Sequence, residues 1–155
     1  MIDIAHIHPM LIHFPLALLP VALAAQLLAV LKGESLFGRH CLSSTGLALV
    51  VLAALGAVIA AVFGDIALDH AVASGVPMAS METHEELGQL SAVLISGLTL
   101  LEIWWYRKAS TDAVLSWGFL IAGVGVLVVL LTTAWFGGHL VYELGVNVTK
   151  AAVVH

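Results

Sequence analysis

Residues 6–20 read HIHPMLIHFPLALLP and place three histidines and three prolines at the start of a long apolar run. A polar imidazole is unfavourable in hydrocarbon, and a proline inside a helix removes a backbone hydrogen bond. The stretch therefore raises two questions. The first is whether the run that it opens spans a membrane, and the second is what its histidines do at the edge of such a span.

The amino-acid composition indicates a membrane protein. Of the 155 residues, 61% are hydrophobic and only 10% are charged, whereas a soluble domain carries about 25% charged residues. Four apolar stretches each come near the ~20 residues that a helix needs to cross a hydrocarbon core of roughly 30 Å, and they cover residues of about 10–31, 42–63, 85–106 and 113–136. Their connections favour an antiparallel bundle. The sequence therefore predicts an all-α protein of one domain, residues 1–155, with four transmembrane helices.

The basic residues predict the orientation of this bundle. Lys32 and Arg39 lie between the first and second spans, and Arg107 and Lys108 lie between the third and fourth. Lys150 is the one basic residue on the other side. Because lysine and arginine accumulate in cytoplasmic loops, both termini are expected to face outward. The size and charge pattern indicate a multi-pass protein of the bacterial inner membrane.

Two outward segments are expected to be irregular. Residues 64–86 form the longest connection and contain the turn signal Ala-Ser-Gly-Val-Pro. The segment GGHLVYELGVNV, residues 137–148, follows the fourth span. We expect it to turn back along the outer interface, with Gly137 and Gly138 supplying the backbone freedom for a sharp exit.

The eight histidines are distributed unevenly across this topology. His40 is cytoplasmic, and the other seven fall on the outward half: His6, His8, His13, His70, His84, His139 and His155. A polar outer surface accounts for several of them. It does not account for His13, which lies among apolar residues, and an ionisable residue at that depth is a candidate for function. His84 opens the third span and His139 closes the fourth, so both are expected near the level of His13.

Helical geometry predicts that His13 and His84 face each other across the bundle, because the first and third spans are diagonal partners. His8 would point about 140° away from His13 if it were helical. Since Pro9 suits the first position of a helix, His8 is expected to be a flanking residue. His84 heads a row of small residues on the third span, and the second span carries another such row; the two rows are Gly88, Ala92, Ser96 and Gly56, Ala60, Gly64. Small residues at this spacing permit close helix packing or a flat cofactor against the helix.

The prolines have two readings as well. Pro15 and Pro20 each leave the carbonyl four residues earlier without its helical donor. Such a carbonyl near His13 could accept the second ring N–H of that histidine, which would orient it as a ligand. The alternative is that the prolines only kink the helix, which membrane bundles tolerate.

Several motifs resemble one known family. They are HPMLIHFP at residues 8–15, Gly64-Asp65, His84 with Gly88, and the closing segment at residues 137–148. Together they resemble the DUF2231 family of small four-helix membrane proteins, over nearly the whole chain. Members of that family occur fused to Rieske iron–sulfur or c-type haem domains. The resemblance therefore implies a place in electron transfer, as a component of an oxidoreductase.

The leading hypothesis is a b-type cytochrome with one or two haems near the periplasmic face. Imidazoles from two helices suit the axial positions of haem iron, and His13 and His84 are the first candidates. The remaining ligand supply is His8, His70 and His139, while Trp135 and Tyr142 could pack on the ring or bond its edge. The expected partners are a periplasmic Rieske protein or c-type cytochrome and a quinone in the bilayer; none of the residues indicates a nucleic acid.

Two alternatives remain open. Histidine with carboxylates also suits a Zn, Cu or Fe ion without porphyrin, with His13, His84, His139 and His8 as candidate ligands. The chain could instead be a non-catalytic membrane subunit that docks a redox partner. Association of several copies of the chain is compatible with each hypothesis.

Overall fold

The computed structural model describes residues 7–146 and residue 148. Five α-helices follow one another: α1 (Ile7–Leu11), α2 (His13–Leu31), α3 (Cys41–Ala73), α4 (Glu82–Arg107) and α5 (Ala113–Tyr142). Four segments are long and apolar enough to cross a membrane, with α1 and α2 forming the first of them together. The all-α class and the four candidate spans are therefore as predicted.

Proline accounts for the break between α1 and α2 at Ile12. Pro15 has no N–H to donate to the carbonyl of Leu11, while the backbone bonds on either side are kept, from Ile12 N to His8 O at 3.2 Å and from Leu16 N to Ile12 O at 3.3 Å. Pro20 lies inside α2. The break separates the turn that carries His8 from the long apolar helix.

Two helices extend beyond their predicted ends. α3 continues past residue 63 to Ala73, and α5 continues past residue 136 to Tyr142. The prediction of an irregular loop at 64–86 is wrong over most of its length, since only residues 74–81 connect α3 to α4. This connection contains a 3₁₀ turn at Met78–Ser80. The prediction that the chain leaves the fourth helix at Gly137 and Gly138 is also wrong, because α5 continues through both glycines.

A second cluster of apolar side chains explains these extensions. Ala71 of α3, Met81, Leu140 of α5 and Val146 are all buried against one another. Hydropathy reports how well a segment suits lipid, whereas a helix forms wherever its backbone bonds are made and one face is buried. The ends of α3 and α5 satisfy both conditions outside the most apolar part of the chain.

The four long helices pack as neighbours in a ring. α2 contacts α3 and α5, and α4 also contacts α3 and α5. Their shared core contains mostly small and aliphatic side chains, among them Leu19, Ala53, Ala57, Ile95 and Leu130. Many large apolar side chains point outward instead, including Val93, Leu100, Ile121 and Trp135. An apolar exterior around a small-residue core is the arrangement expected of helices in lipid.

Candidate functional site

Two histidines from different helices meet inside one end of the bundle. The ring of His8 on α1 and the ring of His84 on α4 have their centroids 6.1 Å apart, with an angle of 80° between the ring planes. Both side chains are partly buried. The structure thus brings together His84, a leading candidate ligand, with His8, a candidate of lower rank that is predicted to flank the helix.

The predicted pairing of His13 with His84 is wrong. His13 is exposed on the surface of the bundle, since the buried face of α2 passes through Pro15, Leu19 and Leu23 instead. His8 and His13 are five residues apart and point about 140° away from each other on a helix. Only one of them can face the interior, and the short helix α1 turns His8 inward.

A backbone carbonyl and a glycine of α3 hold the ring of His8. The Nδ1 atom lies 2.8 Å from the carbonyl oxygen of Ala60. The ring also lies against Gly64, where an added Cβ would come within 3.1 Å of His8 Cε1. Gly64 follows Ala60 by one helical turn, so the absence of a side chain there lets the imidazole approach the backbone.

The same arrangement holds His84 against α5. Its Nδ1 atom lies 3.0 Å from the carbonyl oxygen of Thr133. A Cβ on Gly137, four residues later, would come within 2.8 Å of His84 Cε1. Because a carbonyl oxygen only accepts hydrogen bonds, Nδ1 of each neutral ring carries the proton and donates it. Each Nε2 therefore keeps its lone pair available for a ligand bond.

Two cavities flank this histidine pair, and His8, Ile12, His84 and Gly88 line both. The larger has a volume of about 150 Å³ and includes Asp65, Glu85 and Gln89. The smaller has a volume of about 60 Å³. Its walls are mostly alanine and small aliphatic residues, including Ala57, Ala60, Ala61, Ala92 and Ala134.

The small residues of the two rows differ in their surroundings. Gly56 serves close packing, because a Cβ there would come within 3.1 Å of Phe14 Cβ and 3.3 Å of Pro15 Cδ. Gly64, Gly88 and Ala92 instead line the cavities beside the histidine pair. Ser96 lies beyond them, and its buried Oγ has no hydrogen-bond partner in the described part of the chain.

The other predicted site residues lie away from this pair. His139 of α5 stacks on Trp135, with centroids 6.2 Å apart, and its Nδ1 is 3.2 Å from Oε1 of Glu143. The side chains of Trp135 and Tyr142 are 67% and 90% exposed. His70 is exposed in the last turn of α3. None of these residues lines either of the two cavities, because they lie on outward-facing sides of their helices.

The donor set inside this end of the bundle is two imidazoles. Within residues 7–146 and 148, no three histidine, cysteine, aspartate or glutamate side chains come together as a metal site. The four ligands expected for a bare ion, His13, His84, His139 and His8, are therefore not assembled around one point. A pair of neutral imidazoles can bind a planar metal complex from its two faces.

Sequence reasoning missed the two residues that hold His84, Thr133 and Gly137. Ala60 and Gly64, which hold His8, belong to the small-residue row of the second span, for which the sequence predicts helix packing or a cofactor face. The available signal was spacing, since Gly64 on α3 and Gly137 on α5 each follow by four positions the residue whose carbonyl bonds a histidine. It could not be connected to a particular histidine without knowing which helices are neighbours.

Comparison with known proteins agrees with the membrane fold. The model of a family described as a predicted membrane protein, DUF2231, matches residues 5–150. Neither the comparison with curated proteins nor the comparison with solved structures finds a match. The matched region includes all four candidate spans and both histidines of the pair. The chain therefore belongs to the DUF2231 family of predicted membrane proteins.

Proposed function

We propose that the protein is a membrane-bound b-type cytochrome that transfers electrons through a haem held by His8 and His84. The observation that carries this proposal is the pair itself. Two imidazoles from separate helices lie with centroids 6.1 Å apart, and each has its Nδ1 against a backbone carbonyl. Haem would supply one-electron redox chemistry at this position, and bis-histidine ligation suits electron transfer because it leaves no open site on the iron.

The number of ligands favours haem over a bare ion. A structural zinc ion takes four ligands from protein side chains, whereas haem iron takes four from its porphyrin and only two from the protein. Two metal–imidazole bonds of about 2 Å each, extended to the ring centres, span about 6 Å. The 6.1 Å between the ring centroids would suit two imidazoles that hold one iron if both Nε2 atoms turn toward it. The exposed His13 has no comparable partner in the described chain.

The surroundings of the pair suit a flat apolar group. Gly64 and Gly137 let both imidazoles lie close to helix backbones, and the space beside the rings is bordered by Ala61, Gly88 and Ala92. The cavities of about 150 and 60 Å³ are smaller than the roughly 300–1,000 Å³ of sites for drug-sized ligands. Loading therefore requires the two cavities to widen and join around the pair.

The carboxylates at the larger cavity would lower the reduction potential of a haem bound by the histidine pair. Asp65 and Glu85 both line it together with the histidine pair. Negative charge near a haem favours the oxidised, more positive iron and lowers its reduction potential. These residues would therefore make the centre a better electron donor than an equivalent site without them.

Aromatic and basic side chains support the proposed orientation. At one end of the bundle, the ammonium of Lys108 lies 3.6 Å from the ring centroid of Trp104. At the other, Trp135 and Tyr142 project outward, as interfacial aromatic residues do. We propose an antiparallel bundle in a bacterial inner membrane with both termini outside, so that the histidine pair lies near the periplasmic face. A periplasmic Rieske or c-type protein and a membrane quinone are the proposed redox partners.

A visible spectrum of the purified protein tests the proposal. After expression with added haem precursor, the reduced-minus-oxidised spectrum should show Soret and α-band changes, with one haem per chain. Absence of both changes would overturn the haem assignment. Stoichiometric metal without porphyrin absorbance would instead favour a bare ion, and a protein with neither would favour a docking subunit.

A further inference from the structure

Two contacts inside the bundle join residues that occupy the same position in two parts of the chain. His8 meets His84, and Gln26 meets Glu102; in both cases the second residue follows the first by 76 positions (84 − 8 and 102 − 26). The Gln26 Nε2 donates to Glu102 Oε1 over 2.7 Å. Both of these side chains are only 2% exposed. In each pair a residue of α1 or α2 therefore contacts its own counterpart on α4.

A second constant offset relates α3 to α5. Ala60 and Gly64, which hold His8, are followed 73 positions later by Thr133 and Gly137, which hold His84. Near the other end, Ser43 and Ser116 are also 73 positions apart, and each Oγ donates to a carbonyl of the connection before its helix. The offset falls from 76 to 73 because the connection before α5 is shorter than the one before α3.

The buried faces follow the same two offsets. Four of the five buried residues of α4 have a buried counterpart on α2, and the pairs are Pro15–Ser91, Leu19–Ile95, Leu23–Thr99 and Gln26–Glu102. Six of the seven buried residues of α5 have a buried counterpart on α3, namely Ser116, Gly123, Val126, Leu130, Thr133 and Leu140. Helical periodicity alone would match buried faces at several offsets, but not the paired histidines, glycines and serines as well.

The smaller cavity is divided equally between the two parts. It is lined by fourteen residues, and these form seven pairs at the same offsets of 76 and 73. Ile12 pairs with Gly88, Leu16 with Ala92, and Ala61 with Ala134. The cavity beside the histidines thus receives the same seven positions from each part of the chain.

We infer that residues 7–73 and 82–142 are two equivalent helical units related by a pseudo-two-fold axis, and that Gln26 and Glu102 set the register in which His8 meets His84. A residue contacts its own counterpart where it lies on a two-fold axis, and repeats related by an axis along the membrane normal occur in other membrane proteins. The two polar pairs mark this axis at two levels of the bundle.

The positions of the two pairs explain how the Gln26–Glu102 contact can fix the register in which His8 meets His84. Each histidine precedes its Gln or Glu by eighteen residues (26 − 8 and 102 − 84), or about 27 Å of helix at 1.5 Å per residue. Sliding one unit past the other would separate Gln26 from Glu102 and leave two buried polar groups unpaired. Such groups are costly to leave unpaired, and a single buried polar contact can specify helix register. Gln26 and Glu102 are therefore positioning residues for the histidine pair.

Exchanging the two side chains tests their equivalence. The double variant Gln26→Glu/Glu102→Gln recreates the same hydrogen bond in the opposite direction. It should melt within a few degrees of the wild type in detergent. The single variants Gln26→Leu and Glu102→Leu should melt at clearly lower temperatures. An exchanged variant as unstable as either leucine variant would overturn the inference, whether or not the protein binds haem.

A distance measurement tests the register directly. Ala17 and Val93 are exposed counterparts, 76 positions apart and outside both cavities. Spin labels at Ala17→Cys and Val93→Cys in a Cys41→Ser background should give one narrow distance in the wild type and in the exchanged variant. In Gln26→Leu/Glu102→Leu the distribution should broaden or shift by up to one helical turn, about 5.4 Å. An unchanged distance in that variant would show that the pair does not set the register.

Discussion

The histidine pair and the Gln26–Glu102 pair each join two residues at corresponding positions of the two units. The two pairs differ in their surroundings. Around His8 and His84, glycines and alanines leave cavities of about 150 and 60 Å³. Around Gln26 the packing is tight, since a Cβ on Gly46 would come within 2.6 Å of Gln26 Cγ. Neither Gln26 nor Glu102 lines either cavity. The comparison shows that a buried polar pair becomes a candidate binding site where space is left beside it, and a structural contact where none is.

Removing an imidazole should have the largest effect. His8→Ala and His84→Ala should each lower the haem-to-protein ratio at least about tenfold, because each removes one of the two proposed axial ligands. His13→Ala is the matched control, since His13 is exposed on the same span, and it should retain full loading. The absorbance of haem relative to protein in the purified variants measures the effect. Loss of haem in His13→Ala with retention in His8→Ala would reverse the assignment of the ligand.

Filling the place where a histidine rests should have the next largest effect. Gly137→Ala would place a Cβ 2.8 Å from His84 Cε1, whereas a Cβ on the adjacent Gly138 has nothing within 4 Å. Overpacking of this kind costs about 1–3 kcal/mol, so Gly137→Ala should reduce haem loading and shift the spectrum of what remains. Gly138→Ala should match the wild type in haem loading and in its spectrum. Equal behaviour of the two variants would remove Gly137 from the site.

Breaking the Gln26–Glu102 contact should destabilise the protein without removing a ligand. Glu102→Leu leaves the Gln26 amide buried without its partner, at a cost of about 1–3 kcal/mol. Thermal unfolding in detergent measures this loss. Thr132→Val, which removes an exposed hydroxyl from α5, is the control and should change the melting temperature little. A Glu102→Leu protein as stable as this control would show that the contact contributes nothing to stability.

The smallest effect concerns the charge at the larger cavity. Asp65→Asn removes a carboxylate that lines the larger cavity and should raise the reduction potential of bound haem by tens of millivolts, because the oxidised iron then loses negative charge that stabilises it. Asp69→Asn removes the same charge one helical turn away, from a residue that does not line the cavity, and should change the potential less. A spectroelectrochemical titration of both variants compares them. A larger shift in Asp69→Asn would contradict the proposed role of Asp65.

Much of the fold was predictable, because the length and apolar character of four stretches follow from the composition of each stretch alone. Helix ends were less predictable. α3 and α5 continue to Ala73 and Tyr142 because Ala71 and Leu140 are buried in a second apolar cluster. That burial depends on contacts between distant parts of the chain, which the hydropathy of one segment does not report.

Both histidines of the pair are among the candidate ligands that the sequence indicates, and His84 is one of the two leading candidates. Imidazoles, small residues and the correct end of the bundle were expected, and His84 was chosen. His8 ranks below His13 among those candidates, because a helix that begins near residue 10 leaves His8 outside it. The structure instead places His8 on α1, separated from α2 by the break at Ile12.

The sequence by itself determined that the chain is a four-helix membrane protein rich in histidine at one end, since hydropathy and residue positions are local properties. The tertiary structure decided that His8 rather than His13 meets His84, which carbonyls and glycines hold the two rings, and that Gln26 lies against Glu102. These are relations between helices, and they depend on the rotation and height of each helix relative to its neighbours. The repeated offsets of 76 and 73 were present in the sequence throughout, but they acquire meaning only when the paired residues are seen to touch.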